Sequence, residues 1–280
     1  MSILFLAAII PAIFLITRVY RTDRLEKEPK GLLVKLVFMG IASTMLALVA
    51  ELIGEVVLYI FIPEENIIYH FIRCFFIIGI AEESSKFLFL KWGSYKNSAF
   101  NCMFDGVVYA VTVALGFALL ENIFYVLDGG FSTAILRAIT AVPGHAVDGA
   151  FMGIWYGKAK QAQILGNKEE EKRNLRMAIL VPAIIHGIYD FILFIDTENL
   201  LGNLLVLGVF IIYVIILFVT TIIITKRIAK NDFYIDKNTV DMYNNIGDQS
   251  PSNRYNSYNS NQYYNNSQTT NQDDDFSNDW

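Results

Sequence analysis

Hydrophobic residues occur in long blocks along this chain, and short polar segments separate the blocks. A helix of about 20 apolar residues crosses a hydrocarbon core of about 30 Å, and blocks of this length favour helices over buried strands. The pattern predicts an all-α fold, a polytopic membrane helix bundle with about seven transmembrane helices. The predicted helices cover about residues 2–17, 36–62, 67–90, 103–126, 133–157, 177–196 and 201–225.

The composition supports a membrane protein. Hydrophobic residues fill 54% of the 280 positions and charged residues only 18%. Soluble domains carry about a quarter charged residues, so an ordinary soluble domain is excluded. The two cysteines, Cys74 and Cys102, lie in or beside apolar blocks and lack CxxC spacing. They are predicted to be packing residues rather than part of a disulfide framework.

The charge of the connecting segments alternates along the chain. RVYRTDRLEKEPK, KWGSYK, KAKQAQILGNKEEEKRNLR and KRIAK are rich in Lys and Arg, whereas PEEN, LDGGFS and DTENLLGN contain neither. Cytoplasmic loops of membrane proteins carry an excess of Lys and Arg. The alternation therefore predicts an N-terminus outside and a cytoplasmic C-terminus, which agrees with an odd number of spans.

The composition changes again near Asn231. Residues 231–280 are rich in Asn, Tyr, Ser, Gln and Asp and cannot build an apolar core. We predict a transmembrane domain at residues 1–230 and a disordered cytoplasmic tail at residues 231–280. The first apolar block lacks a basic start and an A-x-A cleavage site, so it is predicted to be an uncleaved anchor rather than a signal peptide.

Ionisable residues recur inside four consecutive predicted helices. Each such residue at the centre of a span costs roughly 2.5–3.5 kcal/mol and therefore indicates a function. Their depths overlap enough for the side chains to share one cavity. The residues are Glu82, Glu83 and Lys86 in the third helix, Glu121 in the fourth, His145 and Asp148 in the fifth, and His186 and Asp190 in the sixth.

The spacing of these residues suggests how they cooperate. Glu82 and Lys86 are four residues apart and share a helix face, so the lysine is expected to neutralise the carboxylate and hold it in place, whereas Glu83 points about 100° away. His186 and Asp190 have the same spacing, which lets the acid orient the imidazole. Such a carboxylate–imidazole combination is typical of a general base that activates water.

Other ionisable residues have structural interpretations. Glu51 and Glu55 in the second predicted helix are expected to bond to neighbours or to face a water-filled vestibule. His70, Arg73 and Arg137 lie near the outer ends of predicted helices, where long side chains extend to the interface.

Four motifs resemble those of the PrsW membrane proteases. EESSK at residues 82–86 matches the family's EExxK motif, and FALLE at 117–121 matches FxxxE. HGIYD at 186–190 resembles the later HxxxD/N element, and GHAVDGAFMG is similar to the histidine-containing segment before it. The resemblance covers about residues 1–225 and leaves out the Asn-rich tail.

One position separates two related groups. The type II CAAX prenyl proteases carry FxxxH where this chain has Phe117 and Glu121, which favours the PrsW group. The resemblance implies a multi-pass protease of the bacterial plasma membrane. Its implied partners are the lipid bilayer and a single-span, membrane-anchored anti-sigma factor, with no nucleic acid. Cleavage of that factor would begin the release of an extracytoplasmic-function sigma factor under envelope stress.

The resemblance also implies a set of catalytic residues. Two chemistries suit this set. In one, a glutamate activates water with His186 as relay; in the other, His145, His186 and a carboxylate bind Zn²⁺. The absence of HExxH favours the metal-free mechanism, with no cofactor. The implied residues are Glu82, Glu83 and His186 as essential members, and His145, Glu121 and Asp190 as supporting members.

Functions of other classes also account for part of the pattern. A proton-coupled transporter or channel would use the same intramembrane acids as a relay, but it would not explain the order of the motifs. A non-catalytic scaffold would bind partners through the tail. No serine or cysteine stands beside a histidine at a suitable spacing, which disfavours a serine or cysteine protease.

Overall fold

The computed structural model describes residues 2–195 and 197–235, and it confirms the all-α prediction over them. Each long apolar block forms a helix. The helices are α1 Ser2–Thr22, α2 Lys30–Phe61, α3 Ile67–Ile72, α4 Ile80–Ser94, α5 Met103–Ile139, α6 Ala141–Ile164, α7 Lys168–Leu193 and α8 Leu200–Lys230, with a π-helical turn at Arg73–Gly79 between α3 and α4.

Five helical stretches in the described part are long and apolar enough to cross a membrane, which makes the chain a multi-pass membrane protein. One of them joins α5 and α6. The stretches are Ile3–Thr22, Lys30–Phe61, Met103–Ile164, Lys168–Leu193 and Leu200–Lys230.

Helix α5 is the centre of the bundle. Its side chains are buried almost without interruption from Phe104 to Ala118, between α1, α2 and α6. Helix α8, in contrast, exposes large apolar side chains such as Leu204 and Ile215 along its length. An exposed apolar surface of this kind is stable when lipid rather than water surrounds it. The buried helix therefore positions the polar residues, and the peripheral helices face lipid.

Glycines allow α5 to approach its neighbours closely. A Cβ added at Gly153 of α6 would lie 2.4 Å from the Val107 Cα and 2.5 Å from the Gly106 carbonyl oxygen. A Cβ at Gly40 of α2 would lie 2.1 Å from the Val113 carbonyl oxygen. In lipid, helix association depends on such backbone contact, because apolar side chains gain little by leaving the hydrocarbon.

The connection predicted between the fourth and fifth helices, at residues 127–132, is confirmed by a break of the helix inside it. Gly130 has a positive φ of 73°, which a residue without a Cβ tolerates, and helical structure then resumes as far as Ile139. The chain folds back at this point, since Arg137 Nε donates to Asn122 Oδ1 although 15 positions separate the two residues. A second break follows at Thr140. Pro143 stands in the first turn of α6, where its missing N–H and its ring prevent the preceding helix from continuing.

A π-helical turn precedes the EESSK motif and was not anticipated. It covers Arg73–Gly79 and is followed directly by α4. Gly79, at its end, lies so close to α7 that an added Cβ would be 2.9 Å from the Ala183 carbonyl oxygen. π-Helical turns frequently occur at functional sites. Here the turn brings the start of α4 against the part of α7 that carries His186.

The chain after α8 returns to the start of α5. The Phe104 N–H donates to Asp232 Oδ1 over 3.0 Å, and the Ile235 N–H donates to the Asn101 carbonyl oxygen over 2.6 Å. The first residues of the predicted tail are thus attached to the helical domain, and residues 236–280 of that prediction lie outside the described residues. Cys102 is buried beside this contact, and its thiol and that of Cys74 are free.

Replacement of Gly153 by Ala is expected to weaken the bundle, because the new methyl group would meet the α5 backbone rather than a movable side chain. Overpacking of this kind costs about 1–3 kcal/mol. The melting temperature of the purified protein in detergent should fall. Gly208→Ala is the matched control, since a Cβ there meets nothing within 4 Å. Equal melting of the two variants would contradict the proposed contact.

Candidate active site

The Lys86 ammonium lies at the centre of the predicted polar cluster. It is fully buried and donates to Glu82 Oε2 over 2.8 Å and to Glu83 Oε1 over 2.7 Å. It also lies 3.2 Å from His145 Nδ1 and 4.1 Å from the centroid of the Phe117 ring. One cation therefore connects α4 with α5 and α6.

Both glutamates of the motif reach the lysine, although the sequence grouped only Glu82 with it. Residues three and four positions apart are both neighbours on a helix surface, and the flexible lysine stem lets one ammonium contact both carboxylates. The two glutamates nevertheless differ in exposure. Glu82 lines a cavity of about 510 Å³, whereas Glu83 is 0% exposed and lies behind it.

His145 is held between Lys86 and Glu121. An ammonium has only donors, so the imidazole accepts at Nδ1 and carries its proton on Nε2. Nε2 then donates to Glu121 Oε2 over 2.8 Å. The same Glu121 oxygen lies 3.1 Å from an Arg137 guanidinium nitrogen. The arrangement fixes the histidine as a neutral group of defined orientation.

His186 stands between acids on both sides of its ring. Nδ1 lies 3.1 Å from Glu83 Oε1 and 3.6 Å from Asp148 Oδ2, and Nε2 lies 3.3 Å from Asp190 Oδ2. Carboxylates accept hydrogen bonds, so a ring that bonds on both sides donates from both nitrogens. The His145 and His186 ring centroids are 5.6 Å apart. The residues predicted from four helices therefore meet in one cluster.

The expectation that Arg137 extends to the interface was wrong. Its Nε donates to Asn122 Oδ1 over 2.9 Å, and its guanidinium pairs with Glu121 at the cavity wall. The kink at Gly130 and the turn at Thr140 position the end of α5 so that this side chain reaches inward. A sequence signal was present, because Arg137 lies on the side of the predicted membrane whose loops contain no Lys or Arg.

The second helix also contributes to the cavity. Glu51 lines the cavity together with Glu82 and Glu121, and Glu55 pairs with Arg73 over 2.7 Å. This confirms the expectation that these two glutamates face a vestibule or bond to neighbours. The charge of Arg73 is paired with Glu55, and its extension to the interface stays a prediction.

Two groups of side chains in this cluster have the donors that a metal ion needs. Ligand atoms of Glu82, His145 and His186 lie within 4.8 Å of one another, and all three residues are buried. Two imidazoles and a carboxylate fit Zn²⁺ by donor type. Both ring nitrogens of His145 already have hydrogen-bond partners, so an ion bound there would replace one of those contacts. The second group is Glu83, Asp148 and His186.

The cluster contains more negative than positive groups. Lys86 and Arg137 are its permanent cations among the described residues, and His186 adds a third when it is protonated. Unpaired charge is costly in a buried site, so the cluster must retain protons or bind a further cation. Either property suits a site that transfers protons to and from water. The acids are Glu82, Glu83, Glu121, Asp148 and Asp190.

Comparison with known proteins agrees with this geometry. A family model described as "PrsW family intramembrane metalloprotease" matches residues 28–222. The chain is 35% identical to Protease PrsW of Oceanobacillus iheyensis over 187 residues, 67% of this chain and 81% of that protein. It is 33% identical to Protease PrsW of Clostridioides difficile over 198 residues, 69% of this chain and 80% of that protein.

A third relative, Protease PrsW of Bacillus subtilis, is 32% identical over 188 residues, which cover 67% of this chain and 81% of that protein. No solved structure matches the chain. The family match includes all four helices that supply the polar cluster, from Glu82 to Asp190. The chain is a membrane protease of the PrsW family of intramembrane proteases.

Proposed function

We propose that this protease hydrolyses a peptide bond of a membrane-embedded substrate in the cavity beside Glu82. The observation that carries the proposal is the position of Glu82, whose carboxylate lines the cavity while Lys86 holds it from the buried side. His145 and His186 line the same cavity. The sequence resemblance supports a single-span anti-sigma factor as the substrate and the bacterial plasma membrane as the location.

We infer seven crossings, with α3, the π-helical turn and α4 forming one and α5 and α6 forming two. The alternation of basic and Lys/Arg-free connecting segments supports an outside N-terminus. On this topology the ends of α5 and α7 that line the cavity, at Arg137 and Phe194, lie toward the outside. The substrate bond would then lie in the outer half of the membrane.

The proposed mechanism assigns different roles to the two motif glutamates. Glu82 accepts a proton from the attacking water, because its carboxylate is the one that meets the cavity. Glu83 is a positioning residue that contacts both Lys86 and His186 from the buried side. His186 lies 3.7 Å from Glu82 Oε2, close enough to take part in moving that proton toward the leaving amine.

The cavity also supplies donors for the transition state. Hydrolysis of a peptide bond places negative charge on the carbonyl oxygen, and fixed donors in a water-poor site stabilise that charge strongly. Arg137 and His186 are the donors at the wall, and Glu121 and Asp190 orient them. The transporter alternative uses the same acids as a relay, but it gives no role to donors placed beside a nucleophile-activating carboxylate.

Zinc is the alternative cofactor, and Glu82, His145 and His186 would hold it. A bound Zn²⁺ would supply Lewis-acid activation of water and of the substrate carbonyl. The family's description as a metalloprotease supports this chemistry, and the hydrogen bonds already made by His145 support the metal-free one. Treatment with a chelator distinguishes the two mechanisms. Full cleavage by metal-stripped protein supports the glutamate mechanism, and loss of cleavage that Zn²⁺ restores supports the metalloprotease.

Glu82→Gln and His186→Ala should each lower the rate of substrate cleavage by about 10²–10⁴, because each removes a proton-transfer group. The double variant should be scarcely slower than either single variant, since members of one catalytic unit are not additive. The measurement is the truncated product, seen by immunoblot, when the protease is co-expressed with candidate single-span anti-sigma factors.

Glu55→Gln is the matched control, since it removes an intramembrane carboxylate whose partner is Arg73 rather than Lys86. It should retain cleavage. Full processing by Glu82→Gln at normal protein levels would refute the proposed role of Glu82 as the proton acceptor.

Lys86→Met should destabilise the protein as well as inactivate it. The sequence alone suggested that Lys86 merely neutralises and holds Glu82, but its ammonium is 0% exposed and contacts two carboxylates and a histidine. Removing one partner of a buried ion pair costs about 3–5 kcal/mol. The melting temperature in detergent is the readout, and Lys91→Met, on an exposed part of the same helix, is the control. Unchanged melting would show that Lys86 has no structural role.

A further inference from the structure

A second acidic cluster lies far from the cavity, where three segments of the chain meet. Asp23 and Glu28 belong to the connection between α1 and α2, Asp105 stands in the first turn of α5, and Asp232 follows α8. Their exposures are 2%, 3%, 1% and 3%. Asp105 precedes Glu121 by 16 positions on one helix, a distance of about 24 Å at 1.5 Å per residue. The cluster is therefore separate from the candidate active site.

The four carboxylates form two overlapping groups of possible ligand atoms. Ligand atoms of Asp23, Glu28 and Asp105 lie within 4.8 Å of one another. Asp105 and Asp232 form a second group with the Cys102 thiol at the same separation. Asp105 is common to both groups, so it connects the α1–α2 segment with the segment after α8.

Some oxygens of the cluster have partners within the protein. Asp105 Oδ2 accepts from the Asn101 N–H over 2.9 Å and from the Cys102 N–H over 2.7 Å. Glu28 Oε2 accepts from the Tyr109 hydroxyl. Asp232 Oδ1 accepts from the backbone of α5. These contacts fix the carboxylates in place.

Two buried oxygens of this cluster, Asp23 Oδ2 and Asp232 Oδ2, have no hydrogen-bond partner among the described residues. None of the four carboxylates has an ion-pair partner within 4.0 Å in residues 2–195 and 197–235. Burial raises the pKa of the Asp23 and Glu28 carboxyls, and it raises that of Asp232 to about 7. Buried acids without an ion-pair partner are costly, and a bound cation would offset the cost.

We propose that Asp23, Glu28, Asp105 and Asp232 form a binding site for a hard divalent cation, Mg²⁺ or Ca²⁺. Carboxylate oxygens are the ligands that these ions prefer, and the unpartnered Asp23 and Asp232 oxygens provide free ones. The ion connects the α1–α2 segment, the start of α5 and the chain after α8. Its binding stabilises the folded domain and attaches the C-terminal segment to it.

Manganese provides the direct test, because Mn²⁺ binds similar oxygen ligands and its free form is visible by electron paramagnetic resonance. Purified, chelator-treated protein of full length in detergent is titrated with Mn²⁺, and Mg²⁺ and Ca²⁺ are then added as competitors. Asp23→Asn and Asp232→Asn should each weaken binding at least about tenfold, since affinity depends on the number of charged ligands.

Two controls separate this site from other acids. Glu169→Gln removes an exposed carboxylate and should leave Mn²⁺ affinity unchanged. Glu82→Gln with His186→Ala disables the donor set of the active site, and the Mn²⁺ binding that depends on Asp23 should persist in it. If Mn²⁺ binding persists in that variant, the cation site stands whether or not the proposed proteolysis is correct.

Melting temperature provides a second readout. At a fixed concentration, Mg²⁺ or Ca²⁺ should raise the melting temperature of the unsubstituted protein more than that of Asp23→Asn, which should fold because it carries less buried charge. Absence of saturable Mn²⁺ binding at neutral pH would overturn the proposal. So would a melting temperature that rises with acid but not with cations, because the carboxyls would then be stabilised by protons alone.

Discussion

The buried ammonium of Lys86 is the constraint on which the arrangement of this protein depends. A charge with no exposure inside a membrane domain is tolerable only if fixed partners surround it, and here they come from three helices: the Glu82 and Glu83 carboxylates, the His145 ring and the Phe117 face. The lysine thereby fixes α4 relative to α5 and α6. The same contacts determine that one motif carboxylate meets the cavity while the other remains behind it.

Polar contacts of this kind require helix backbones that approach each other closely, and small residues at the helix crossings allow that approach. Small residues at the helix crossings, such as Gly153 of α6, bring α6 onto α5, and Gly79 at the end of the π-helical turn brings α4 onto α7. The second crossing is what joins Glu83 to His186 across 103 positions of sequence. Close contact between the helix backbones is therefore a condition for the site. A larger distance between α4 and α7 would separate the Glu83 carboxylate from the His186 imidazole.

The sequence predicted most of the helices and every acid and imidazole of the cluster, because both signals are local. Apolar length gives a helix, and an ionisable residue within it indicates a function. Two features were not predictable in this way. The inward direction of Arg137 depends on the kink at Gly130 and the turn at Thr140, and the division of roles between Glu82 and Glu83 depends on which of them neighbouring helices cover. These are properties of packing, which no single segment contains.

Two acidic residues of helix α5, Asp105 and Glu121, lie at different positions along the helix and have different partners. Glu121 pairs with Arg137 and accepts a hydrogen bond from His145, within a network that opens to a cavity. Asp105 receives backbone donors but no ion pair among the described residues. A helix that runs between the two groups transmits a displacement of one end to the other, because a packed helix moves as a rigid element. A cation bound at Asp105, as proposed above, would therefore bind the same helix whose Glu121 accepts a hydrogen bond from His145.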